Sequence, residues 1–373
     1  MLFPFLRPEL PPAEEWTPLL KTSYDKRYFS NFGPLATTLA DKLSAAYLRP
    51  DYDGALCGSN TAGLVAVLQA IGVVGKKVAL PDFTFAATPQ AIFAAGGTPV
   101  VCDIDAETWE LSPTSLAEAF DSHPDIAAVI HVRPFGLLRD ISAIRAMCAE
   151  RGVPLLVDAA AGLGAPSEDH GFGSENGEIE VFSLHATKVF AMGEGGFIAA
   201  PSTRIEEIKS AMNFGFNADR TYGEGLNAKI DEFRAAIGLV MLNKMDDMVA
   251  TRRRHADFYF DLMQRELGLR VATSPGATPW STFPVVFDQP VTRETLGAFA
   301  DNGVEIKKYY WPGVLKGYVG DRTVHAVATP NSFALQDCCA CFPVYSDFSD
   351  DTAAGLTTRI KRSIQLLHAN GDT

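Results

Sequence analysis

Between about residues 60 and 200, short apolar runs rich in β-branched residues alternate with stretches whose apolar positions recur at helical spacing. The runs fall at 77–80, 98–102, 126–131, 154–157, 179–182 and 196–199, and each has the length of one buried strand. Residues 61–71, dense in Ala, Leu and Val, and residues 141–151 supply intervening helices. This alternation predicts an α/β fold built on a mostly parallel sheet with crossover helices. After Asn227 the pattern lengthens into a helical stretch over about 231–267 that would bridge two domains. Beyond it, a strand at 282–287, a helix from near Thr292, a strand at 304–306 and a closing helix at 351–368 predict a smaller α+β unit. We expect a large domain over residues 1–245, with an N-terminal arm, and a small one over 246–373, because 373 residues exceed what one core usually serves.

Composition narrows the class. With 47% apolar and 21% charged residues and no low-complexity stretch, the chain reads as a globular enzyme. A formal net charge of -13 argues against nucleic-acid binding, which needs a basic stripe, but leaves room for a small anionic ligand held by local donors. The opening residues 1–16 carry prolines and an acidic continuation and do not read as a signal peptide. No apolar run is long enough to span a membrane, and we expect a cytoplasmic protein. Cys57, Cys102, Cys148, Cys338, Cys339 and Cys341 match neither a disulfide framework nor a paired zinc motif, so reduced thiols and no metal are expected.

Three places carry candidate chemistry. The segment 57–64, Cys-Gly-Ser-Asn-Thr-Ala-Gly-Leu, opens a helix with small and hydroxyl residues, where free N–H groups favour an anion; an ordinary helix cap reads the same way. Asp158 closes an apolar strand and is followed by Ala159, Ala160, Ala161 and Gly162, at the carboxyl end of a sheet where α/β folds bind ligands. Lys188 follows another strand and precedes a glycine-rich turn at 193–196. A lysine held partly desolvated there has a lowered pKa and a free amine able to attack an aldehyde.

These pieces in this order resemble the DegT/DnrJ/EryC1/StrS family of sugar aminotransferases, which share the aspartate-aminotransferase fold (fold type I) of pyridoxal-phosphate (PLP) enzymes. The resemblance spans nearly the whole chain, from Ser30-Asn31-Phe32-Gly33-Pro34-Leu35 to Cys341-Phe342-Pro343-Val344-Tyr345. It implies that Lys188 forms the Schiff base with PLP and that Asp158 pairs with the pyridine nitrogen. It further implies that Phe85, in Pro81-Asp82-Phe83-Thr84-Phe85, stacks on the ring, and that Thr61, Ala62 and Ser183 hold the phosphate. Asn227, in Gly225-Leu226-Asn227-Ala228-Lys229, would reach the phosphate of a neighbouring subunit, implying a homodimer with shared active sites.

Two positions depart from the family pattern. Ala161 stands where Gln or His usually bonds the ring oxygen of PLP, and Arg133 replaces a histidine in Val132-Arg133-Pro134-Phe135-Gly136. Arg133 suits either two-point contact with an anionic substrate group or a structural ion pair. His185 reads as a structural histidine or a substrate contact. The stretch Lys307-Lys308-Tyr309-Tyr310-Trp311 offers charge and stacking faces for a substrate wall, or forms an ordinary amphipathic edge. The implied function is transfer of an amino group from glutamate to a nucleotide-diphosphate keto sugar, with the cofactor cycling between PLP and its pyridoxamine form, PMP. The alternatives are a related sugar dehydratase, which usually carries histidine at the lysine position, and a non-catalytic regulatory member.

Overall fold

The computed structural model describes residues 2–164, 172–216, 222–272 and 278–370. Its first sheet holds eight strands: β1 (Tyr52–Cys57), β2 (Lys77–Pro81), β3 (Thr98–Cys102), β4 (Ile126–Val132), β5 (Leu155–Asp158), β6 (Ile179–Ser183), β7 (Gly196–Pro201) and, from much later in the chain, the two-residue β11 (His325–Ala326). Their spatial order is β1-β7-β6-β5-β4-β2-β3-β11. All neighbours from β6 to β11 run parallel, while β7 runs antiparallel to both β6 and β1. The sheet is therefore mostly parallel, with one reversed strand, and the six strands expected from the sequence all lie in it.

Side chains on successive strand residues point to opposite faces, and each face has its own core. Ala79, Val129, Val157, Phe182 and Phe197 pack on one side against Leu39 and Leu43 of helix Pro34–Tyr47. Val78, Ile130, Leu156, Val181 and Ile198 pack on the other against Leu64, Val67 and Leu68 of helix Asn60–Ile71. That helix begins where Ser59 Oγ accepts the Ala62 N–H at 3.1 Å, and it stops at Gly72, whose φ of 80° is reached readily only without a Cβ. It lies close to the sheet because Gly63 leaves room for Cys57 and Val181, each 2.9 Å from where a Cβ would sit.

The second sheet is antiparallel, in the order β10 (Lys307–Lys308), β12 (Cys339–Pro343), β9 (Thr282–Val286), β8 (Arg270–Val271). A third core beneath it joins Phe283, Val285, Phe299, Phe342, Ile360 and Ile364, and takes in Phe3 and Phe5 from the start of the chain.

Several expected elements changed in detail. The long helix of 231–267 is three pieces: Glu232–Leu242, Met245–Tyr259, and a wider π-helical turn, Phe260–Glu266. At the break the N–H groups of Asn243 and Lys244 bond Val240 and Met241, tightening the turn that ends the first piece. Ala235 and Ala236 thereby serve the first core, and the bridge between cores falls to Met245–Tyr259, with Met245 in one and Tyr259 in the other. The strand expected at 304–306 lies at 307–308, because Val304 instead bridges Phe3. Four strands had no clear signal, the two-residue β8 and β11 and the longer β1 and β12. β1 has Gly54 in its middle, where a Cβ would meet the Phe197 ring at 2.3 Å, and β12 follows helix Pro330–Cys338 without a turn residue between them.

Candidate active site

Asp158 is the last residue of β5, on the sheet face that carries helix Asn60–Ile71. Its Oδ1 accepts from Asn60 Nδ2 at 3.2 Å and its Oδ2 from Thr88 Oγ1 at 2.8 Å. Asn60 also donates to the Val181 carbonyl at 3.0 Å, and Thr88 lies 2.6 Å from Thr84 Oγ1, so both donors are fixed from behind. Burial pushes the Asp158 carboxyl above its usual pKa, against the pull of Thr88, Asn60 and the Lys188 charge.

Lys188 sits in the loop between β6 and β7. Leu184 N–H bonds the Gly195 carbonyl, Ala186 N–H bonds Gly193, and Lys188 N–H bonds His185, which fixes the loop on both sides of the lysine. Gly193 takes a φ of 86° at the turn. Desolvation lowers the Lys188 pKa, and the Asp158 charge opposes that shift. Each member of the pair is thus pushed toward its neutral form, which leaves an amine free to act as a nucleophile.

Phe85 follows β2 and is 51% exposed, which leaves a large aromatic ring uncovered. Ser183, buried at the end of β6, faces Gly196 across the ladder, and a Cβ on Gly196 would meet the Asn60 nitrogen at 2.8 Å. Thr61 lies in the first turn of helix Asn60–Ile71, where N–H groups have no helical acceptor. The fold therefore gathers Asn60, Thr61, Phe85, Asp158, Ser183 and Lys188 at the ends of β2, β5 and β6. The Ala62 N–H is already taken by Ser59 Oγ, which leaves Thr61 as the better anion donor of the two expected.

Other expected residues lie apart from this group. Arg133 is buried on the opposite side of the sheet, with Nε 3.6 Å from Glu180 Oε2 and Nη1 donating to the Arg139 carbonyl at 3.3 Å. Glu180 alternates with Phe182 along β6 and so faces away from Asp158. Of the two readings open to Arg133, the geometry gives the structural ion pair. His185 Nδ1 accepts the Thr187 N–H at 3.2 Å and lies 2.9 Å from Thr187 Oγ1, while its Nε2 is 3.6 Å from Glu194. It shapes the turn before Lys188. Asn227 is exposed, with Oδ1 accepting from Lys229 Nζ at 2.7 Å, beside exposed Phe214, Phe216 and Tyr222.

Tyr310 stacks on Phe135 with centroids 5.0 Å apart and planes 4° from parallel, and its hydroxyl accepts the Phe135 N–H at 3.3 Å. Burial raises its pKa, with a smaller contribution from the Asp158 charge. Tyr309 lies 6.5 Å from Phe85, ring to ring, and Lys308 Nζ lies over the exposed Trp311 ring. Lys307 points elsewhere, to the Phe5 ring at 5.1 Å. Gly136, with φ 80°, packs so tightly that a Cβ would lie 2.2 Å from the Ala161 carbonyl. The residues that reasoning from sequence missed are Asn60 and Thr88. Asn60 lies inside the segment 57–64 and Thr88 three residues past Phe85, but only the folded chain shows that they hold Asp158.

The six residues gathered here suit a flat, anionic, aldehyde-bearing cofactor: an amine, a buried carboxylate, an uncovered aromatic face, and hydroxyl and N–H donors at a helix start. The comparisons agree. Residues 13–361 match the DegT/DnrJ/EryC1/StrS aminotransferase family. A dTDP-4-amino-4,6-dideoxy-D-glucose transaminase of Shigella dysenteriae is 29% identical, over 95% of this chain and 97% of its own. An L-glutamine:2-deoxy-scyllo-inosose aminotransferase of Streptoalloteichus tenebrarius is 31% identical over 74% of this chain and 69% of its own. Among known structures, DesI in the presence of its TDP-sugar product superposes with a TM-score of 0.86 at 28% identity, over 100% of this chain and 96% of the other.

Proposed function

The chain belongs to the DegT/DnrJ/EryC1/StrS aminotransferase family, and from that premise we propose that it transfers an amino group from glutamate to a nucleotide-linked keto sugar, as a cytoplasmic homodimer with shared active sites. The observation that carries this reading is buried Asp158, held by Asn60 and Thr88 at the end of β5 and facing the charge of Lys188 in the loop after β6, with the exposed Phe85 ring three residues before Thr88.

Pyridoxal phosphate, when bound, supplies a reactive aldehyde carbon and a ring that accepts electron density from the substrate carbon. Asp158, held by Asn60 and Thr88, keeps a proton on the pyridine nitrogen, and Phe85 covers a ring face. Thr61 and Ser183 hold the phosphate at the start of helix Asn60–Ile71. Lys188 Nζ removes the proton from the α-carbon of the amino donor and, in the second half of the reaction, moves a proton on the carbon that becomes aminated. The acceptor sugar lies against Tyr309, Tyr310 and Trp311, with Lys308 supplying positive charge toward its diphosphate. With exposed aromatics Phe214, Phe216, Tyr222 and Phe233 near Asn227, the surface suits a partner subunit whose phosphate Asn227 would reach.

The test is a panel of dTDP- and UDP-linked keto sugars offered with glutamate or with glutamine and followed by mass spectrometry. Glutamate-dependent conversion of one sugar is expected. Turnover with glutamine alone, or only on a cyclic ketone lacking a nucleotide, would overturn the donor or the acceptor assignment.

A further inference from the structure

The aromatic wall at residues 309–311 begins an excursion that leaves the second sheet after β10 and returns to it at β12. Between those strands the chain is fastened repeatedly to the first sheet. β11 pairs with β3, Gln90 Nε2 donates to the Tyr318 carbonyl at 2.7 Å, and Asp103 accepts the N–H groups of Asn331 and Ser332 at 3.0 and 2.8 Å. The tightest fastening lies directly behind the wall. Asp82, the residue after β2, has its Oδ1 accepting the Leu315 N–H at 2.8 Å and its Oδ2 accepting from Gln336 Nε2 at 2.6 Å. Its backbone carbonyl also receives the Val314 N–H at 3.4 Å and Gln336 Nε2 at 3.3 Å. Asp82 and Gln336 are fully buried, and Gly313, at φ 78°, makes room: a Cβ there would lie 2.1 Å from Gln336 Nε2.

Asp82 is three residues from Phe85, whose ring faces Tyr309. The carboxylate thus fixes the spacing between two surfaces: the aromatic that covers the cofactor and the wall that receives the acceptor. Asp158 takes its side-chain hydrogen bonds from Asn60 and Thr88 and not from the excursion, which reaches it only at one remove, through Asp82, Thr84 and Thr88.

We propose that Asp82 and Gln336 form a buried latch that positions the wall at 309–311 for the nucleotide-sugar acceptor, making Asp82 a positioning residue for the second half of the reaction and not the first. This rests on the functional reading above. A carboxylate and an amide complement each other here, because Asp82 accepts the Leu315 N–H on one oxygen and the Gln336 carboxamide on the other.

The test is a reciprocal exchange in the PLP-loaded enzyme. Gln336→Glu sets two carboxylates against each other and should raise the acceptor KM by at least about tenfold, while bleaching of the cofactor absorbance by glutamate keeps its rate and amplitude. Asp82→Asn, nearly isosteric, should give a smaller change of the same kind. The Asp82→Asn/Gln336→Glu double variant restores one carboxylate and one amide but not the bond to the Asp82 backbone carbonyl, and should bring the KM at least about threefold back toward the parent from that of Gln336→Glu. Hydrogen exchange of residues 309–318 should quicken in Gln336→Glu and slow again in the double variant. Equal loss in both half-reactions, no rescue by the exchange, or unchanged hydrogen exchange in Gln336→Glu would each overturn the latch. If Gln336→Glu does not fold, Asp82→Asn alone decides the matter by the same split between half-reactions and by hydrogen exchange. A parent enzyme that aminates no nucleotide sugar defeats the functional reading instead, and hydrogen exchange still decides whether the latch exists.

Discussion

Asp82 and Asp158 occupy equivalent places, each buried where a parallel strand of the same sheet ends, and burial raises the pKa of both. Their partners separate them. Asp82 spends its two oxygens on Leu315 and Gln336, groups of the excursion from the second sheet. Asp158 is held by Asn60 and Thr88, and where the lysine that Asp82 feels, Lys316, is paired with Asp337, the one that Asp158 feels is the desolvated Lys188 in the loop between β6 and β7. Position at the end of a strand supplies a desolvated carboxylate; the neighbours decide whether it fastens chain to chain or works on a cofactor.

That contrast can be broken from the Asp158 side first. Lys188→Ala should abolish transamination and the absorbance band that PLP shows only when joined to the lysine, the largest effect expected, because the reactive amine is gone; a Lys188→Ala protein that still turns over would remove the basis of the mechanism. Asp158→Asn should lower kcat by about a thousandfold, or ~4 kcal/mol, through loss of the proton on the pyridine nitrogen, with the fold intact by circular dichroism. Thr88→Val deletes one of the two hydrogen bonds to the same carboxylate and should lower kcat by about tenfold. A protein in which Asp158→Asn and Asp82→Asn fall equally in kcat would erase the distinction drawn here.

The smallest effect concerns stability. A buried carboxylate whose folded pKa lies above its unfolded one binds more protons when folded, so stability falls as pH rises from about 4 through the raised value. Asp82→Asn cannot ionise there. In thermal melts of the cofactor-free protein, Tm of Asp82→Asn relative to the parent should therefore rise between about pH 4 and neutrality. A difference independent of pH would mean that Asp82 ionises at no cost in the folded chain, its hydrogen bonds making good its burial.

Much of this was legible beforehand for definable reasons. The six central strands announce themselves because each is a short apolar run, rich in β-branched residues, bounded by stretches without that pattern. β1 and β12 do not: one is interrupted by Gly54 for the sake of the Phe197 ring, and the other reads as a cysteine cluster until its pairing with β9 is seen. Asp158 and Lys188 stood out because their chemistry sits beside small residues at strand ends, whereas Phe85 and Ser183 were singled out only by the resemblance to the family. Arg133 was ambiguous because one residue of alternation along β4 decides which face it serves, and its buried partner Glu180 is 47 positions away in sequence.

The sequence by itself determined the α/β alternation and set Asp158 and Lys188 after strands beside small residues, while the resemblance to the family alone made that lysine the mark separating aminotransferase from dehydratase chemistry. These are local properties, written in spacing and residue type. Tertiary structure alone decided that Asn60 and Thr88 hold Asp158, that Arg133 belongs to the far face, and that Gln336 closes on Asp82 across 254 residues. Each of those depends on which strand neighbours which in the sheet, and hydrogen bonds between buried groups form only once that neighbourhood exists.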